Sequence, residues 1–182
     1  MRGLPSLAEM AYFTVEAPPP EATPMPVSTT IYQADFVAWT QDQARRLRAA
    51  AEARVNLPLD FENIAEELED MGRSQADALN SALTRILEHL LKLEYSSATA
   101  PRDGWEESVN EHRDRASRAL VTSLSLRTHI DLEDAYRRGR AFAARSLARD
   151  GVAASQLAAD CPYPLERVLD IDWWPVSRHG LE

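Results

Sequence analysis

The sequence is poor in cysteine and glycine, with one cysteine, Cys161, and six glycines among 182 residues. A single thiol cannot form an intramolecular disulfide, which is typical of a reducing compartment, so we expect a cytoplasmic protein. With so few glycines, and no G-x-G-x-x-G, Walker or G-x-S-x-G pattern, a phosphate-cradling loop or a hydrolase nucleophile is not indicated. Composition therefore gives no reason to predict an enzyme, and we expect no cofactor.

Long apolar runs and alternating apolar and polar residues are also missing. No run approaches the roughly 18 apolar residues that a membrane span needs, so we expect no association with a membrane. Pro5 and Glu9 interrupt the first apolar stretch, which makes it a poor signal peptide. Since no segment alternates as a half-buried strand would, while several repeat apolar residues at helical spacing, the sequence predicts an all-α fold.

Acidic residues outnumber basic ones, and the net charge of −9 argues against a nucleic-acid partner. The charge is unevenly spread. Residues 56–94 hold nine acids and three bases, whereas residues 113–149 hold nine arginines and four acids. The simpler interpretation is that these two segments neutralise each other within the fold. The alternative is a basic face that binds an acidic partner.

Proline is concentrated at the amino terminus, where residues 1–29 contain six of the eleven prolines. Because proline fixes φ and lacks a backbone donor, these residues predict an extended arm or a mobile tail. We expect a single helical domain over residues 30–176, followed by a short tail at residues 177–182.

The domain is predicted to contain four long helices. The first has Phe36, Trp39, Ala44 and Leu47 at helical spacing. The next begins after a cap at Asp60, with Asn63 at the third helical position. Gly72 either separates this helix from the following one or lies within a single long helix. We favour the continuous or slightly kinked helix, because the residues after Gly72 are compatible with helix.

Two further helices are expected from about Trp105 to Val121 and from about Leu126 to Arg149, the latter stopping before Gly151. The four helices predict an up-and-down bundle, with the carboxy-terminal segment packed across it.

Five acids lie within the nine residues 62–70. On a helix at 100° per residue, an apolar arc of about 120° forms on the same segment, and it comprises Phe61, Ile64, Ala65, Leu68 and Met71. Glu62, Glu66 and Asp70 lie opposite this arc and are most simply a solvated face. Glu67 flanks the arc, where it could reach inward, and we expect it to pair with an arginine of another helix, such as Arg113, and not with a metal.

Glu67 (or, in its place, Glu66 or Glu69), His89 and His112 form the one metal-like set of side chains. Carboxylates and imidazoles that face each other across helices are how bundles bind metals. However, the chain lacks the Glu-x-x-His pairs of di-iron bundles, so hydrogen-bonded core histidines are the simpler interpretation. If the helix continues through Gly72, Glu67 and His89 lie about 33 Å apart and cannot share a metal.

Four segments resemble a known family. They are "IYQADFVAWTQDQARRLR", "LDFENIAEELEDMGRS", "LTRILEHLLKLEY" and "CPYPLERVLDIDWWP". Together they are similar, in order and over residues 31–175, to the bacterial domain-of-unknown-function family number 29. The resemblance implies a small helical protein without an assigned activity. The family pattern is matched at Asp35, Trp39, Leu59, Asp60, Asn63, Glu66, Glu67, Gly72, Ser74, His89, Leu90, Leu91, Lys92, Trp105, Arg113 and Pro162.

The chain departs from the family at His112, where relatives more often have glutamine, and this favours a hydrogen-bonding role over metal ligation. The function predicted from these observations is a non-catalytic module that binds another protein. The alternative is a metal-binding bundle or a metal-dependent hydrolase centred on Glu67 and His89. The sequence does not specify an oligomeric state.

Overall fold

The computed structural model describes residues 29–181, so the predicted proline-rich arm lies outside the described residues except for its last position. The helices are α1 (Thr29–Ala34), α2 (Phe36–Glu52), α3 (Phe61–Tyr95), α4 (Arg102–Thr122), α5 (Leu132–Leu147) and α6 (Leu165–Leu169). Short 3₁₀ helices span Leu124–His129, Ala148–Asp150 and Ala154–Gln156. The described range contains no strand, and the prediction of an all-α fold with four long helices is confirmed.

Helix α3 is a single helix of 35 residues, about 52 Å long at 1.5 Å per residue. Asp60 caps it as expected, because its carboxylate accepts a hydrogen bond of 3.2 Å from the backbone N–H of Asn63. The Asn63 side chain also donates to Asp60, at 2.6 Å. The favoured prediction of a helix that continues through Gly72 is confirmed.

Gly72 allows α2 and α3 to approach closely. A Cβ atom at this position would lie 2.7 Å from the Thr40 hydroxyl oxygen. Ala44 and Ala65, which lie in the same contact, have no exposed surface. The two helices are antiparallel and approach closely because their facing side chains are small.

The second half of α3 packs against two other helices. Arg102, at the start of α4, donates to the Leu93 carbonyl, while Leu120 near its end packs with Leu79, so α4 runs antiparallel to α3. Asn80 binds the backbone just before α5, and Ser96 donates to Asp150 just after it, so α5 runs parallel to α3. The first half of α3 therefore packs mainly on α2, whereas the second half belongs to a three-helix bundle.

Two helix boundaries differ from the sequence expectation. Helix α4 begins at Arg102, three residues before Trp105. The segment predicted to be helical from Leu126 is 3₁₀ up to His129, and α5 begins only at Leu132. The reason is a local cap, since the Asp131 carboxylate accepts a hydrogen bond of 2.9 Å from the Asp134 N–H and starts a new helix.

The carboxy-terminal segment packs across the bundle, as predicted. Leu157, Tyr163 and Val168 are buried in the core that α3, α4 and α5 share. Beyond the predicted domain boundary at residue 176, the Arg178 N–H donates to the Glu94 carbonyl at 2.9 Å. The Arg178 guanidinium also donates to the Tyr95 hydroxyl at 2.6 Å. The end of the described chain is thus tied to the end of α3.

We predict that Gly72→Ala will destabilise the protein by about 1–2 kcal/mol, because the added methyl group collides with Thr40. In a Thr40→Ala background the collision disappears, and alanine should then be neutral or stabilising through its higher helix propensity. A double-mutant cycle by urea denaturation measures this coupling. Additive effects of the two substitutions would contradict the close contact.

Candidate functional site

The residues singled out by the sequence do not form one site. Asp35 and Trp39 lie at the start of α2, and Asp60, Asn63, Glu66 and Glu67 lie in the first two turns of α3. Gly72 lies within α3, at its contact with α2. A third group near the far end of α3 contains His89, Lys92, Trp105 and Arg113. Each group has a different environment.

Asp35 joins the ends of two helices. Its carboxylate caps α2 by accepting a hydrogen bond of 2.9 Å from the Ala38 N–H. It also accepts hydrogen bonds from the Ser125 N–H and hydroxyl, at 2.6 and 2.7 Å, in the 3₁₀ helix that follows α4. Burial raises the pKa of this carboxyl, but these hydrogen bonds hold it below its usual value. As a result, α4 and α2 lie end to end along α3.

Arg113 is almost completely buried and holds the carboxy-terminal segment. Its guanidinium donates to the backbone carbonyls of Val168 and Trp173, both at 2.9 Å, and lies 4.9 Å from the centre of the Trp174 ring. Burial lowers the pKa of Arg113 to about 10, and the charge of Asp170 acts in the opposite direction. The guanidinium donates to backbone carbonyls and not to the Glu67 carboxylate. The expected pairing with Glu67 is therefore wrong. The position carries a structural clamp.

The remaining polar residues of this group do not form a shared site. Lys92 forms a buried ion pair with Glu88 one turn away, and its ammonium lies 6.0 Å from the centre of the Trp105 ring. Next to this pair, burial lowers the pKa of His89 to about 4, so its imidazole is neutral near neutral pH. His112 Nδ1 donates to the Ser108 carbonyl, 2.8 Å away on its own helix, α4.

Glu67 is exposed and lies far from these polar residues along α3. Because α3 is continuous, Glu67 and His89 lie 22 positions apart on a single helix and are not brought together. Within residues 29–181, no group of three or more His, Cys, Asp or Glu side chains is placed to hold a metal ion. The proposed set of Glu67, His89 and His112 is thus not assembled in one chain.

The acidic and arginine-rich segments do not pair with each other in the described part of the chain. Glu69 and Glu62 form ion pairs with Arg48 of α2. The arginines of residues 113–149 that form ion pairs do so with acids one turn away, such as Asp114 and Asp134. In the arginine-rich segment these ion pairs are local, because neighbouring turns of one helix place opposite charges within reach.

The apolar arc predicted for the start of α3 is only partly covered. Ala65 faces α2 and is fully buried, but Ile64 is 37% exposed and Met71 is 47% exposed. A single helix, α2, packs on this part of α3, and it covers one side of the arc and leaves the other side exposed. The predicted arc is correct as a pattern, yet about half of it is surface.

We define the open apolar face as one flank of the α2–α3 hairpin. At 100° per residue, all of its members lie on the same side of the line of contact between the helices, within about 140° of that line. They are Phe36, Trp39 and Leu47 of α2 with Phe61, Ile64, Leu68 and Met71 of α3. Tyr32 of α1 packs edge-on against Trp39, with ring centres 4.8 Å apart, and extends this face.

The opposite flank of the hairpin is polar. It contains a groove of about 530 Å³ lined by Gln41, Arg45, Glu69 and Arg73, among others. The Arg48–Glu69 ion pair crosses the hairpin next to this groove. The two flanks therefore differ in chemistry, and the apolar one is the unusual surface, because exposed apolar patches mark sites of interaction.

Sequence reasoning missed the open apolar face and the role of Ser125. The apolar arc was visible, but which half of it would be covered depends on how many helices pack beside that part of α3. Ser125 carries no motif, and its contact with Asp35 spans 90 residues.

We predict that Arg113→Ala will cost about 3 kcal/mol or more, because the substitution leaves buried carbonyls of the carboxy-terminal segment without a donor. The fluorescence of Trp173 and Trp174 should shift to longer wavelength as the segment loosens. Arg115→Ala is the matched control, since Arg115 is exposed on the same helix and should cost less than about 0.5 kcal/mol. Equal effects of the two substitutions would contradict the clamp.

No helix in residues 29–181 is both long and apolar enough to cross a membrane. No curated protein matches the chain. The chain is similar to an α-helical protein of unknown function from Rhodospirillum rubrum, known from a crystal structure. The similarity has 31% sequence identity and a TM-score of 0.68, and it covers 78% of this chain and 90% of that one. Residues 31–174 match the model of the domain of unknown function DUF29, and the chain belongs to this family.

Proposed function

We propose that this protein is a non-catalytic protein-interaction module of the bacterial cytoplasm whose contact surface is the open apolar face. The observation that carries the proposal is the exposure of Ile64 and Met71 on a flank that also presents Trp39 and Leu68. Binding a partner that buries these apolar side chains is favourable, by about 25 cal/mol for each Å² removed from water.

Residues at the turn between α2 and α3 enlarge this surface. Leu57 and Leu59 are 54% and 51% exposed, and Val55 is exposed as well. They follow the end of α2 and precede the Asp60 cap, next to Phe61. A contact surface that includes this turn would run from the tip of the hairpin towards Trp39.

Three polar residues of the family pattern have structural roles, and this supports the proposal. Asp35 joins α2 to the turn after α4, Arg113 binds the carboxy-terminal segment, and Lys92 neutralises Glu88. Each of them has a structural partner, and together they fix the rigid frame from which the hairpin projects. A rigid frame lowers the entropy cost of presenting a contact surface.

Photo-crosslinking in the native cells tests this function. A photoreactive phenylalanine at position 71 lies on the open apolar face, and we expect it to give a discrete crosslinked protein band. The same residue at position 70 is the matched control, because Asp70 is exposed on the same helix but lies opposite the apolar arc. Absence of an adduct from position 71, or equal adducts from both positions, would overturn the proposal.

A further inference from the structure

The open apolar face is bordered by opposite charges on its two edges. Glu67 lies one turn from both Ile64 and Met71 on the outer edge of α3, and it is exposed. Arg46 lies on the outer edge of α2, one turn from the half-buried Ala50. Its side chain is 57% exposed and forms an ion pair with Asp42 on the same helix. The face thus has an arginine on its α2 edge and a glutamate on its α3 edge.

These two charges lie at the same height along the hairpin. Thr40 is beside Gly72, and Arg48 binds both Glu62 and Glu69. In an antiparallel pair one residue number rises as the other falls, so Arg46 is level with Glu66 and Glu67.

A surface with this arrangement is complementary to itself. Turning a second hairpin by 180° about an axis parallel to the helices places its α3 over α2 of the first, in antiparallel orientation, and keeps the heights unchanged. Arg46 of each copy then faces Glu67 of the other, while the two apolar faces meet. Such isologous contacts are typical of twofold dimers.

From these observations we propose that the occupant of the open apolar face is a second copy of this chain, and that the two α2–α3 hairpins form an antiparallel four-helix bundle. This inference rests on the proposed function and names its partner. Trp39, Leu47, Ile64, Leu68 and Met71 form the core of the bundle, and Arg46 and Glu67 lie on its rim.

The size of the face fits a dimer. Helix α2 has 17 residues and is about 25 Å long, and two adjacent helices are about 20 Å wide. Each copy therefore contributes on the order of 500 Å², so that the dimer buries about 1,000 Å² in total, which is the size at which specific interfaces begin. The expected affinity is moderate, and the dimer should dissociate on dilution.

Sedimentation equilibrium of the full chain over a range of concentrations tests the inference. We expect a mass that rises with concentration to twice the chain mass of 20.4 kDa. The double variant Ile64→Glu and Met71→Glu should weaken self-association by about 100-fold or more, because it places four charges in the apolar core. Circular dichroism should show unchanged helix content, since both residues are already partly exposed.

Exchange of the edge charges tests the orientation of the two copies. Arg46→Glu and Glu67→Arg should each weaken self-association about tenfold by opposing like charges, and the double variant should recover most of the loss. Asp70→Arg is the matched control: it makes the same charge change on the solvated side of α3, and self-association should stay within about threefold of that of the unmodified chain.

Three results would overturn the inference. The first is a monomer at all concentrations that still forms adducts with other proteins from position 71, and this result would leave the proposed function standing. The second is a monomer that forms no adduct in cells, which removes both proposals. The third is a monomeric full chain that dimerises once residues 1–28 are deleted, because the face would then be covered by the chain's own segment.

Discussion

The continuity of α3 is the constraint on which the rest of the structure depends. A helix of 35 residues is too long to be enclosed by one layer of neighbours of ordinary length. Its second half packs against α4 and α5, and its first half packs mainly against α2. Close contact at Gly72 and Thr40 holds this hairpin together, but one partner helix covers only one side of an apolar arc. The open apolar face exists because only one long helix packs on the first half of α3.

Two polar side chains, the half-buried Asp35 and the buried Arg113, fix the arrangement around α3. The Asp35 carboxylate binds the amino end of α2 and the turn after α4 together, which aligns these two helices along α3. Arg113 binds the carbonyls of the carboxy-terminal segment and keeps that segment across the bundle. An unpaired buried polar group is costly, so each of these contacts specifies one position for its partner. Asp35 and Arg113, two polar residues of the family pattern, therefore determine how the helices and the carboxy-terminal segment are arranged.

The sequence predicted local structure well and long-range contacts poorly. The cap at Asp60, the helix through Gly72 and the all-α class depend on neighbouring residues, and the pattern of those residues indicates them. The partner of Arg113 is 55 or more residues away along the chain and is a set of backbone carbonyls, which leave no mark in a sequence. Glu67 was expected to face inward because it borders an apolar arc, yet the arc itself is half surface. Whether a residue at the edge of an apolar arc is buried depends on which other helices pack beside it, and helical periodicity does not predict those helices.

Hydrogen exchange of the full chain at low and high protein concentration shows directly whether a second copy covers the open apolar face. We expect amides of α2 and of the first half of α3 to exchange more slowly at high concentration, because opening of the hairpin is suppressed in the dimer. Amides of α5 should exchange at the same rate at both concentrations. Exchange that is independent of concentration, or protection centred on α4 and α5, would contradict the proposed dimer.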